Sequence, residues 1–325
     1  MNTALVLGGG GMVGLSYHAG VLRALEVEAG FVPDNADLVV GTSAGAVVGA
    51  YMRTGWTTED FWQLALGTHP RAAAMGRNAG RDEEPHIFSP SWRSPFDLSR
   101  RLVGSAFVLG RSFVRWPVPP LPIPSLLGRA FPGGMFDMVE GRRRFEEELP
   151  EAWPDKALWL CAVDIGTTRR VVLGRPGGPE ATLRQAVLAS AAIPGVYRPV
   201  RVGGRVLVDG GAWSSTNLDL AVKAGCKMII GVAPMAFDPE QAPTRLYQLI
   251  RRLPARSLSA EVALARHQGA QVLLVRPDDK QLRLHGINLM RPDGLDRIAR
   301  MAYESTARAL DTDRFRDFLA DLQAA

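Results

Sequence analysis

Leu38-Val39-Val40-Gly41-Thr42-Ser43-Ala44-Gly45 is the stretch on which the reading of this chain turns. The apolar run reads as a strand, and the small residues after it permit a turn tight enough to carry a serine straight into a helix. Gly-x-Ser-x-Gly at such a junction is the pattern of a nucleophile elbow. Its glycines let the chain bend sharply and leave room for a substrate carbonyl beside the hydroxyl. Taken alone, Ser43 suits a helix N-cap equally well.

Two more glycine turns follow short apolar strands. Ala4-Leu5-Val6-Leu7 precedes Gly8-Gly9-Gly10-Gly11-Met12-Val13-Gly14, and Val206-Leu207-Val208 precedes Asp209-Gly210-Gly211. Ligands of open α/β sheets gather outside the carboxyl ends of strands, so the three turns are expected to meet in one crevice. There they would supply Ser43 as nucleophile, the N–H groups of Gly9, Gly10 and Gly11 as an oxyanion hole, and Asp209 as general base. Gly14, Gly41, Gly45, Gly210 and Gly211 support the turns. Together these features read as a hydrolase.

Each motif has a rival reading. Gly9 to Gly14 fits the dinucleotide fingerprint G-x-G-x-x-G, which needs an acid at the end of the second strand. Asp37 instead begins that strand. Asp209-Gly210 suits a plain turn. A Ser-His-Asp triad would call on His267 or His285, in the chain order Ser, Asp, His. No His, Cys, Asp or Glu cluster has metal-ligand spacing, and no metal or cofactor is expected.

With 325 residues and 46% apolar content the chain can bury a large core. A formal charge of +5 is mild for a nucleic-acid binder, and no nucleic-acid partner is expected. Cys161 and Cys226 sit in or beside apolar runs and read as reduced core thiols of a cytoplasmic protein. The N-terminus lacks a basic region and its apolar run is cut by glycines, so no cleavable secretory signal is expected. No apolar run approaches the roughly 18 residues that cross a bilayer.

Strands are expected at about 3–7, 37–41, 157–164, 169–174, 227–232 and 270–275. A hairpin of 200–202 with 206–208 should turn at Gly203-Gly204. Helical spacing predicts helices from Leu15 to about Ala29, around Val47 to Met52, across 182–192 and 214–224, and as one long helix from about 293 to 322. Thr57-Thr58-Glu59-Asp60 reads as a capped start of a helix ending near Gly67. Residues 69–150 are rich in Pro and Arg, and Trp116 to Pro124 alternates prolines that exclude helix and central strand. This segment is expected to be an insertion or lid mixing short helices with irregular backbone. It either covers the core with its arginines facing water or meets an anionic membrane surface.

The glycine loop, the serine elbow some thirty residues later and the distal Asp-Gly-Gly resemble the patatin-like phospholipase family. Ala189 to Pro199 (Ala-Ser-Ala-Ala-Ile-Pro-Gly-Val-Tyr-Arg-Pro) and Tyr17 to Leu22 are similar to the same family, over about 1–60 and 157–235. The resemblance implies a three-layer α/β/α sandwich related to cytosolic phospholipase A2. It implies a Ser43–Asp209 dyad without histidine, and an acyl-enzyme that water hydrolyses to release a fatty acid. Val13 stands where the family often carries Lys or Arg, and the stretch after Asp209 is longer than usual, with Asn217 as its support residue. The expected protein is one domain over 1–325, with 69–150 inserted and 236–325 matching nothing in the resemblance. It would act on a lipid or acyl ester from the cytoplasm or the membrane periphery. A non-catalytic lipid- or nucleotide-binding protein, or a soluble esterase or thioesterase with a histidine base, are the alternatives.

Overall fold

The computed structural model describes residues 1–71, 89–113, 133–237 and 246–324, and helix numbers below count the described elements. The expected Trp116 to Pro124 stretch lies outside them. Five parallel strands form most of the sheet: β1 (Thr3–Leu7), β2 (Leu38–Thr42), β5 (Ala157–Asp164), β9 (Met228–Val232) and β10 (Gln271–Val275). β6 (Arg169–Leu173), β7 (Val200–Val202) and β8 (Arg205–Asp209) add antiparallel pairings. The order is β10-β9-β1-β2-β5-β8-β7, with β6 also paired to β5. Two short strands, β3 (Ser89–Pro90) and β4 (Phe136–Asp137), pair separately.

β1 and β2 are near-continuous apolar runs because helices cover the sheet on both faces. Alternate residues feed two cores. Leu5, Leu7 and Val39 join the core under α1 (Gly11–Ala29), α2 (Ala44–Arg53) and α3 (Thr58–Leu66). Ala4, Val6, Leu38 and Val40 join the opposite core with residues of α7 (Asp219–Lys223) and α8 (Leu246–His267). That is a three-layer α/β/α sandwich. α2 lies so close to β1 that a Cβ on Gly45 would stand 2.0 Å from the Leu7 carbonyl oxygen, which only glycine avoids.

The remaining helices are α4 (Pro95–Phe113), α5 (Val139–Glu148), α6 (Leu183–Ser190), α9 (Asp279–His285), α10 (Leu295–Leu310) and α11 (Asp313–Ala324). Thr57 and Asp60 form the reciprocal cap expected at the start of α3. The β7–β8 hairpin turns at Gly203-Gly204, both at positive φ.

Several expectations need correction. α1 begins at Gly11, inside the glycine run, so its first-turn amides belong to the loop itself. The helix expected over 214–224 shrinks to Asp219–Lys223, because Asn217 turns left-handed at φ 56 and bonds back to Ser214. The long C-terminal helix is two, broken where Thr312 donates both N–H and hydroxyl to the Ala309 carbonyl. Within 69–150, where short helices were expected among irregular backbone, α4 is a regular helix of 19 residues. The C-terminal part that matches nothing in the resemblance packs into the main core. α10 crosses α1 so closely that a Cβ on Gly20 would meet the Ala299 carbonyl oxygen at 2.1 Å.

Candidate active site

Ser43 sits between β2 and α2 at φ 53 and ψ −118, a backbone state that non-glycine residues rarely adopt. Its side chain lies near Asp209 and favours the charged form of that carboxylate. Both side chains are buried. The Gly211 N–H donates to Asp209 Oδ1 at 2.7 Å. Burial pushes the Asp209 carboxyl up to about 6, against the Gly211 N–H and the Ser43 side chain, which favour its charge.

The two motifs meet by a route the sequence does not show. β2 runs parallel to β5, whereas β8 runs antiparallel to it. The carboxyl ends of β2 and β8 therefore point in opposite directions, contrary to the expected common edge. They still come level, because Thr42 pairs with Cys161 and Asp209 pairs with the next residue, Ala162. The Ala189–Ala192 patch ties both down. Ser190 Oγ accepts from the Ser43 amide at 3.0 Å, and the Ala192 carbonyl accepts from the Asp209 amide at 2.8 Å.

The glycine loop lies alongside. A Cβ on Gly9 would meet Ser43 Cβ at 3.2 Å, and one on Gly14 would meet Ala44 Cβ at 3.3 Å. The Gly9 N–H, expected as an oxyanion donor, is spent on the Ser215 carbonyl at 2.8 Å. Gly10 caps α1 and Gly11 begins it, where a helix cannot satisfy its own amides and its dipole is positive. Gly41 and Gly210 are close-approach positions against Ala46 and Cys161.

Further polar groups brace the site, and of these the sequence singled out only Asn217. His18 is buried on α1, its Nε2 2.7 Å from the Gly8 carbonyl, and burial lowers it to about 4. Asn217 donates to Thr42 Oγ1 at 3.0 Å, joining the loop after Asp209 to the residue before Ser43. Arg170 grips Asp219 with both arms and bonds Asn217 Oδ1. Glu261 reaches in from α8 and accepts from Thr216 Oγ1 and the Leu218 N–H, each at 2.8 Å. Glu261 carries no local signal because its helix reads as an ordinary amphipathic one.

An apolar cavity of ≈ 250 Å³ opens from Ser43 and runs along α2. Met12, Leu15, Val47, Tyr51, Phe61 and Phe145 help to line it, and its two charged residues, Glu140 and Arg144, pair with each other at 2.8 Å. His285 is buried edge-on against Tyr17, and His267 is exposed at the end of α8; neither lines the cavity. Asp37 accepts from the Asn2 and Thr3 amides at the start of β1, the end away from the glycine loop. It is thus at the wrong end for a dinucleotide ribose. Among the described residues no group of three His, Cys, Asp or Glu side chains is placed to hold a metal. Cys161 and Cys226 are free and buried.

On this α/β/α sandwich a buried serine at a strained strand–helix junction thus stands beside a buried carboxylate and an apolar cavity. The Patatin-like phospholipase profile matches residues 5–222, and the chain belongs to that family. No curated protein matches the sequence. Among solved structures it is similar to VipD from Legionella pneumophila, at 15% identity and TM-score 0.44, over 95% of this chain and 66% of that one. It is also similar to the ExoU–SpcU complex of the Pseudomonas aeruginosa type III secretion system, at 19% identity and TM-score 0.39, over 97% of this chain and 52% of that one. The chain thus spans about two thirds and about half of those two chains. No helix among the described residues is long and apolar enough to cross a membrane.

Proposed function

We propose that the protein hydrolyses acyl esters of lipids through a Ser43–Asp209 dyad. The observation that carries this reading is the juxtaposition of Ser43, which lines an apolar cavity, with the buried Asp209 carboxylate. An acyl chain in the cavity would bring its ester carbonyl to Ser43 Oγ. Asp209 takes the serine proton as Oγ adds to the carbonyl carbon, and the N–H groups of Gly10 and Gly11 receive the oxyanion. Each such donor is worth about 3 kcal/mol in the transition state. Collapse breaks the C–O bond to the alcohol, which leaves with the proton from Asp209. Water, deprotonated by Asp209, then attacks the acyl-serine and releases the fatty acid and the free serine.

The carboxyl's rise to about 6 suits a base working near neutral pH: ionised in the resting enzyme, yet basic enough to accept a proton. A histidine base finds no support, since neither downstream histidine reaches the cavity. The protein would take its lipid from a membrane surface. A fluorophosphonate probe tests the assignment. Labelling should map to Ser43 and be lost in Asp209→Asn. Labelling at another serine, or undiminished labelling of Asp209→Asn, would overturn it.

A further inference from the structure

A helix on a protein surface ordinarily buries its apolar stripe and turns its polar face to water. α4 departs from this. Its inner side buries Arg101, Ser105 and Ser112 together with Val108, which packs against Val163, Ile165 and Val208. The Arg101 guanidinium donates to Asp97 at 3.1 Å, to Ser91 Oγ at 2.8 Å and to the Gly134 carbonyl at 3.4 Å. Ser105 Oγ accepts from the Gly134 N–H at 2.9 Å, and Arg111 donates to the Ile165 and Gly166 carbonyls. These bonds hold the helix in its rotation.

The outer side is apolar. Phe96 is 73% exposed, Leu102 54%, Val103 56%, Phe107 49% and Leu109 47%. Ser99, Ala106 and Gly110 are the exposed residues between them, so no charge interrupts the face. Six of the twelve large apolar side chains exposed among the described residues fall between Trp92 and Leu109, which is a patch and not a scatter.

We propose that this face seats the protein on an anionic lipid bilayer beside its catalytic cavity; the choice of lipid rests on the acyl-hydrolase reading. Charge and position both favour it. Arg93 is exposed at the near end with Trp92, Arg100 lies over the Phe96 ring at 5.8 Å, and Asp97, the one acid of α4, is tied to Arg101. An aromatic residue and arginines bordering an apolar face suit the headgroup level, where cations are drawn to anionic lipid. Ser105 and Leu109 lie against Gly195, between Ile193 and Tyr197, which line the cavity. Lipid meeting α4 therefore stands next to the turn that walls the site.

The test is co-sedimentation with phosphatidylcholine vesicles containing or lacking phosphatidylglycerol, using Ser43→Ala protein so that binding is read apart from turnover. Binding should favour the anionic vesicles, weaken with salt, and fall about tenfold or more on adding Phe96→Ser, Val103→Ser and Phe107→Ser. With Ser43 intact, the three changes should leave hydrolysis of a dispersed short-chain ester within about twofold, which also shows that the site still folds. An environment-sensitive dye on Val103→Cys, selective because both native thiols are buried, should shift to the blue on anionic vesicles. Absence of vesicle binding, equal binding by the triple variant, or a dye unmoved by vesicles would overturn the proposal. So would a vesicle-independent dimer that the triple variant dissolves. Vesicle binding by a wild-type protein without esterase activity would leave the docking face standing and remove the hydrolase reading instead.

Discussion

Ser43 and Asp209 stand level across β5, at the ends of strands that run in opposite directions. In the proposed mechanism the two residues share one proton-transfer path, and their substitutions should not add. Ser43→Ala and Asp209→Asn should each abolish ester hydrolysis with the fold intact, and the double variant should be little worse than either alone. Steady-state kinetics on a short-chain ester, with circular dichroism as the control, checks this.

The proposed mechanism requires Asp209 to be ionised so that it can accept the serine proton. The free enzyme's kcat/KM should rise with pH through about 6 and level off above it. A limb centred near 4 instead would show that burial does not govern this carboxyl.

The same burial has a stability consequence of definite sign. The native state holds the Asp209 proton up to about 6 while an unfolded aspartate releases it near 3.9, so folding stability falls as pH rises between those values. Asp209→Asn removes that cost, on the order of 3 kcal/mol at full ionisation. Denaturant unfolding should find the variant more stable than wild type at pH 8, with the gain shrinking toward pH 4.

Strain at Ser43 should be measurable too. Its φ of 53 costs a non-glycine residue about 1–3 kcal/mol, which Ser43→Ala retains and Ser43→Gly relieves. Less the entropy cost of glycine, Ser43→Gly should be more stable than Ser43→Ala by about 1 kcal/mol. Equal midpoints would mean that the elbow is unstrained.

The cavity should set acyl length. Val47 projects into it from α2, and Val47→Trp fills part of it. Each methylene that no longer fits forfeits about 0.8 kcal/mol, roughly fourfold in kcat/KM, so the variant should prefer shorter esters. An unchanged chain-length profile would place the acyl chain elsewhere.

The local rules of this protein were legible in the chain. Apolar runs ending in glycine marked β1, β2 and β8, the Thr57 to Asp60 pattern marked a cap, and Gly203-Gly204 marked a hairpin, because each depends on neighbours a few residues apart. Sequence by itself therefore determined the strand–serine–helix junction, the alternating α/β build and the candidate dyad. Only the tertiary structure decided what depends on distance in the chain. It set β8 antiparallel to β5, brought Asp209 level with Ser43 through register, and spent the Gly9 amide on Ser215. It also delivered Glu261 from α8 to the loop beyond Asp209, and turned the apolar side of α4 outward. Strand direction, hydrogen-bond partners and helix rotation follow from which surfaces pack together, and periodicity shows that a helix has an apolar side without saying which side the rest of the molecule will cover.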